Sequence, residues 1–139
     1  MPIPNTEGGP AAAEAAGVAP GVPAVLCVQQ RDSDEIRRVL AALHAPLREC
    51  ADGRSAIAAA GSGPLSCAVV PLQMPDMNAS ALIGALREAA PGLAVFVVVD
   101  NPAVSEAVAV MRSGAHAVID SRILSTGLMV HLAPLLRAR

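Results

Sequence analysis

The chain has 139 residues, the size of one ordinary domain whose core needs no disulfide or metal staple. Ten Lys and Arg against twelve Asp and Glu leave a net charge of −2, which supplies neither a broad basic field for nucleic acid nor an acidic tail. Although 53% of the residues are hydrophobic, no run reaches the roughly 18 apolar residues of a membrane span, and a single Phe96 is the whole aromatic inventory for stacking on bases. The N-terminus lacks the cationic and then apolar pattern of a secretory signal, so a cytoplasmic location is the default and neither a membrane nor nucleic acid is expected as a partner. The three cysteines, Cys27, Cys50 and Cys67, are odd in number and have no metal-ligand spacing, which reads as buried thiols.

Residues 1–23 are Ala, Gly and Pro with little that could form a packed face, and are expected to be a disordered leader to a domain over 24–139. Ala24 to Val28 is a short apolar run suited to a strand buried on both faces. Asp32 and Glu35 then have the spacing of a capping box, and Ile36, Val39, Leu40 and Leu43 recur on one helical face. Pro46 to Cys50 reads as a strand, Asp52-Gly53 as a turn, and Ser55 to Ala60 as a short helix stopped by Gly61.

Leu65 to Pro71 supplies a third strand, and Asn78 is placed to cap a helix whose Leu82, Ile83 and Leu86 face inward until Pro91-Gly92. Leu93 to Val99 is the most β-prone segment, as a central parallel strand should be. Asp100-Asn101-Pro102 opens a helix expected to carry Val104, Val108 and Met111 inward and to end at Ser113-Gly114. Ala117 to Ile119 makes a fifth strand, and the last helix shows Leu128, Leu132, Leu135 and Leu136 on one side. Gly127 weakens its first turn, and Pro134 is expected to kink or shorten it. Five alternations of strand and helix predict an α/β flavodoxin-like (βα)5 domain, a parallel sheet of order 2-1-3-4-5 with helices on both faces. A Rossmann arrangement fits less well, because the turn from Gln29 to Asp34 has no glycine to admit a pyrophosphate.

The stretch Leu72-Gln-Met74-Pro75-Asp-Met77-Asn78, with Ala51-Asp52-Gly53 and Arg112-Ser-Gly-Ala115, resembles the receiver domain of two-component response regulators over roughly residues 24 to 137. The resemblance implies an acidic pair after the first strand to hold Mg²⁺ and an aspartate ending the third strand as the phosphoryl acceptor. It also implies a Thr or Ser ending the fourth strand and a Lys ending the fifth. The chain departs from that pattern at every one of these places. Gln29 and Gln30 stand for the acidic pair, Pro71 for the acceptor, Val99 for the hydroxyl and Ser121 for the lysine. The first turn is long for the family, which leaves Asp32 and Asp34 as further carboxylates for that place. Amides cannot replace carboxylates on a hard cation, and proline offers no nucleophile. The chain thus resembles an aspartate-less pseudo-receiver, and no enzyme activity, cofactor or metal is expected.

The expected function is a phosphorylation-independent signalling module that acts through protein contacts with a kinase, an output protein or another receiver. In the family the contact face is formed by the fourth helix, fifth strand and fifth helix. Here it is expected to include Val110, Ala117, Ser121, Ile123, Met129 and Val130, and a homodimer through it is one form of that contact. Two alternatives stand beside it. An apolar crevice at Pro71, Met74 and Val99, with Asp32 and Asp100 at its rim, would take a small molecule, or a displaced carboxylate such as Asp76 or Asp100 would accept the phosphoryl group. His44, His116 and His131 have no constellation around them and read as local or solvent-facing.

Overall fold

The computed structural model describes residues 23–62, 64–100 and 104–137. The leader expected over 1–23 lies outside the described residues except for Pro23. Among those described, β1 (Ala24–Val28), α1 (Ser33–Ala42), β2 (Leu47–Cys50), α2 (Gly53–Ser62) and β3 (Leu65–Pro71) are followed by α3 (Ala79–Ala89), β4 (Ala94–Val99), α4 (Val104–Ser113), β5 (Ala117–Asp120) and α5 (Leu124–Arg137). A 3-10 turn, Ser121–Ile123, joins β5 to α5. The strands form one parallel sheet of order β2-β1-β3-β4-β5, as the alternation predicts.

Both faces of this sheet are covered. Leu26, Val28, Ala68, Val70, Val95, Val97 and Val99 point into a core with Ala56, Leu82, Ile83, Leu86 and Val110 from α2, α3 and α4. Val25, Cys27, Cys67, Val69, Phe96 and Val98 point the other way, against Ile36 and Leu40 of α1 and Leu128 and Leu132 of α5. This is the two-residue alternation of a strand serving two cores, and it explains why β1, β4 and residues 67–71 of β3 read as apolar runs. Burial pushes the Cys27 thiol up to about 12, so it behaves as a small apolar side chain.

Helix ends depart from the sequence reading where a tertiary partner competes. Asp32 stands at the N-cap of α1 with φ −94° and ψ 16°, outside the extended conformation usual for a cap, and makes no side-chain cap, while Glu35 reaches to α5. Its carboxylate accepts from the Ser125 backbone N–H at 3.2 Å and from the Ser125 hydroxyl at 2.5 Å. The expected capping box is therefore replaced by a bond between two helices. Helix α2 begins at Gly53 rather than Ser55 and runs through Gly61. Asp52 caps it by accepting from Ser55 N–H at 2.9 Å. At the end of α1, His44 takes the left-handed conformation (φ 55°), with His44 N–H donating to Ala41 and Ala45 N–H to Leu40. That is the bonding of a Schellman cap with histidine where glycine is usual.

Helix α4 is turned relative to expectation. Val108 and Met111 are exposed and Val110 is the buried residue, 2% exposed. The helix carries apolar residues on two adjoining faces, and size alone pointed to the wrong one. The side chains of Val104 and Leu136, also expected inward, lie outside the described residues. Pro134 does not end α5, which continues to Arg137. Pro134 is exposed, and so is Val130, whose carbonyl loses its helical partner and remains open to water.

Gly127 has a packing role that its helix propensity conceals. A Cβ there would lie 2.6 Å from Ile119 Cγ2, a buried branched methyl of β5 that cannot move aside. Gly84, on the exposed side of α3, has nothing within 4 Å of the same position. Gly84→Ala should therefore raise stability by about 1 kcal/mol, the ordinary helix-interior gain. Gly127→Ala should lower it, since an overpacking cost of about 1–3 kcal/mol exceeds that gain. Urea unfolding of both variants reads the two opposite signs directly.

Candidate functional site at the carboxyl edge of the sheet

In a sheet buried on both faces, polar side chains gather where the strands end. Gln29 and Gln30 follow β1, Pro71 ends β3, Val99 ends β4 and Ser121 follows β5, so the fold brings all five to the carboxyl edge. Register fixes their order, with Pro71 beside Val98 and Val99 beside Asp120. Gln30 folds back on its own turn, its side-chain amide donating to Val28 O at 3.1 Å and its backbone N–H to Ser33 Oγ at 2.9 Å. Gln29 N–H is held by Cys50 O at 2.7 Å while its side chain is exposed. Val99 is buried and Pro71 half-buried.

Polar chemistry at this edge centres instead on Asp100. Its carboxylate accepts from Arg31 Nη2 at 2.8 Å and from the Ser121 hydroxyl at 3.3 Å. The Arg31 hydrogen bond and charge, followed by the Ser121 hydroxyl, hold its pKa below the usual aspartate range. Asp120 is held lower still, to about 2, by the side chain and backbone of Arg122. Asp32 is half-buried at the start of α1. Among the described residues no three His, Cys, Asp or Glu side chains are grouped so as to hold a metal ion.

The loop after β3 is fastened from the other side. Met74 is almost wholly buried and belongs to the same core cluster as Val70, Val97 and Val99. Asp76 points outward to α2, accepting from Gly53 N–H and Arg54 N–H at 3.0 Å each. Met77 occupies the space that a side chain on Gly53 would need. Asn78 accepts from Ala81 N–H at 2.9 Å and caps α3 as its sequence position indicates. The motif from Leu72 to Asn78 thus works as a structural clasp between α2 and α3. The spacing of Asp76 from Gly53 gave no signal of that bond, since the two are brought together only by the fold.

Of the residues expected on a contact face, Ile123, Met129 and Val130 are exposed, and with Val108 and Met111 they are the exposed large hydrophobics among the described residues. Ala117 and Ser121 are half-buried. Val110 must be removed from the face, because the turn of α4 that exposes Met111 sends Val110 into the core. A shallow apolar depression of about 370 Å³ lies between α4 and β5, lined by Ala107, Val108, Met111, Arg112 and Val118. His116 and His131 sit against Phe96, with ring centroids 5.2 Å and 5.6 Å away.

This fold is that of response-regulator receiver domains. It is similar to a CheY-like receiver domain protein from Methanospirillum hungatei JF-1, with a TM-score of 0.74 and 18% identity over 84% of this chain and 95% of that one. A response regulator from Hahella chejuensis gives 0.70 and 20% over 81% and 95%, and the beryllofluoride-activated NtrC4 receiver domain dimer gives 0.73 and 18% over 82% and 96%. No protein-family model and no curated protein matches the chain. None of the described helices is long and apolar enough to cross a membrane.

Asp76 should stabilise the clasp in a pH-dependent way. The Gly53 N–H first, and then the Arg54 N–H, lower its pKa from the ordinary value of 3.8. A depressed folded-state pKa means that the contribution is complete above the unfolded value and is lost as pH falls through the folded one. Asp76→Ala should therefore melt below the wild type at pH 7. The gap between the two melting temperatures should close as pH falls from about 4 through the range where the folded carboxylate protonates.

Proposed function

We propose that this chain is a phosphorylation-independent signalling module that acts by protein contact through the α4-β5-α5 face. The carrying observation is that Val108, Met111, Ile123, Met129 and Val130, the exposed large apolar side chains among the described residues, all belong to α4, α5 or the turn that joins β5 to α5. Apolar side chains concentrated on one face are costly to leave in water and are characteristic of contact surfaces. The receiver fold supports a signalling role, and the similarity to a receiver domain dimer makes a second copy one candidate partner, beside a kinase or an output protein. A cytoplasmic setting agrees with such partners.

The strand ends support independence from phosphate. Pro71 has no atom that can attack phosphorus, and the amides of Gln29 and Gln30 bring no charge to a cation. The carboxylates available as substitutes are already engaged, Asp76 with α2 and Asp100 with Arg31 and Ser121. The packing of Met74 and Val99 in the core likewise favours protein contact over a small-molecule crevice.

Incubation with acetyl phosphate and Mg²⁺ should leave the intact mass unchanged; a stoichiometric, base-labile phosphoryl adduct would return the chain to phosphorelay chemistry. Placing charge on the face with Ile123→Glu and Val130→Glu should abolish association, seen by sedimentation for a second copy and by co-purification for another protein. Both sites are exposed, so unfolding free energy should stay within about 0.5 kcal/mol.

A further inference from the structure

Arg31 and Asp100 belong to loops that follow β1 and β4, and these strands are not neighbours. In the sheet β3 lies between them, so a bond joining the two loops passes the carboxyl end of β3, where Pro71 stands. Asp100 Oδ1 also receives the Ser121 hydroxyl from the end of β5. One carboxylate therefore ties the ends of three strands across the place where the receiver pattern puts its phosphoryl acceptor. Sequence spacing could not show this, because Arg31 and Asp100 are 69 residues apart.

We infer that the Arg31–Asp100–Ser121 bridge is a strap closed over Pro71, holding the ends of β1, β4 and β5 at a fixed spacing without any phosphoryl group. The charges suit that task. Arg31 is the cation at the turn where the pattern calls for metal-binding acids, and it meets the first residue after the strand whose last position, Val99, has lost its hydroxyl. Arg31 also faces Asp32, and Asp100 faces Asp120 and Arg122, so the bridge sits in a mixed field that favours the bonded arrangement only modestly. Both partners are more than half exposed, which makes the strap weak enough to open. Its position next to the start of α4 and the end of β5 gives it leverage on the contact face. The inference concerns regulation of the same edge and rests on that edge having no phosphoryl chemistry. Its readout uses the free chain with no partner, so its failure leaves the contact reading standing.

Hydrogen exchange of the full chain with Arg31→Met, Asp100→Asn and the double variant tests it. Each single change should raise exchange about threefold for amides 97–100 and 117–122, the size that an exposed pair supports. The double variant should do no more than either single one, and amides 24–26 and 65–69, away from the strand ends, should not change. Unchanged exchange, additive effects, or a rise shared with those core strands would overturn the strap. A second measurement reads the cover itself. In Pro71→Cys with Cys50→Ala, intact mass during iodoacetamide treatment should show labelling several-fold faster when Arg31→Met is added, and an equal rate would refute closure over Pro71.

Discussion

A parallel sheet covered by helices on both faces has no room for a polar side chain along its strands. In this chain α2, α3 and α4 cover one face and α1 and α5 the other, so β1 and β4 are apolar from end to end and β3 carries one polar side chain, Ser66 near its start, bonded to Ala24 O. Hydrogen-bonding and charged groups are driven to the strand ends, and the carboxyl edge becomes the place where chemistry or signalling can be built. The same constraint explains why that edge can lose its chemistry and leave the fold intact. Pro71, Val99 and Ser121 can change character without disturbing the interior, because their neighbours toward the middle of the sheet, such as Val69 and Val97, provide the burial that holds the strands together.

The strands and their order were legible in the sequence because an apolar run bounded by turn residues has few other meanings in a chain of this length. Asn78 was legible as a cap for the same reason, since its bond to Ala81 is local. What escaped was set by contacts distant in sequence. Glu35 has the spacing to cap its own helix but bonds Ser125. Val108 and Met111 look like the core face of α4 because they are large, yet the helix buries Val110. Gly127 reads as a weak point and proves to be the gap that admits Ile119. Pro134 reads as a helix breaker, but falls where water can take over the lost bond.

At the site, sequence reasoning located Gln29, Gln30, Pro71, Val99 and Ser121 at one edge, because each ends or follows a strand. It did not find the bond between Arg31 and Asp100, nor the use of Asp76 as a cap for α2. Both carboxylates are ordinary in sequence and acquire their roles only when loops separated by one or more strands are brought side by side. The two carboxylates that stood as displaced phosphoryl acceptors are here fastenings. At this edge their observed role is mechanical, joining loops.

The lone benzene ring of Phe96 is wedged between the imidazoles of His116, just before β5, and His131, on α5, one near-perpendicular at 77° and the other tilted at 39°. With no Trp and no Tyr in the chain, Phe96 is the benzenoid ring that shifts the magnetic environment of these two histidines. Their ring protons carry the imprint of a single neighbour, which makes them a built-in spectroscopic gauge of how closely α5 and the end of β5 are seated on β4. In a chain with no Trp or Tyr to absorb or fluoresce in the near ultraviolet, that small triad lets the seating of α5 be watched without adding a label.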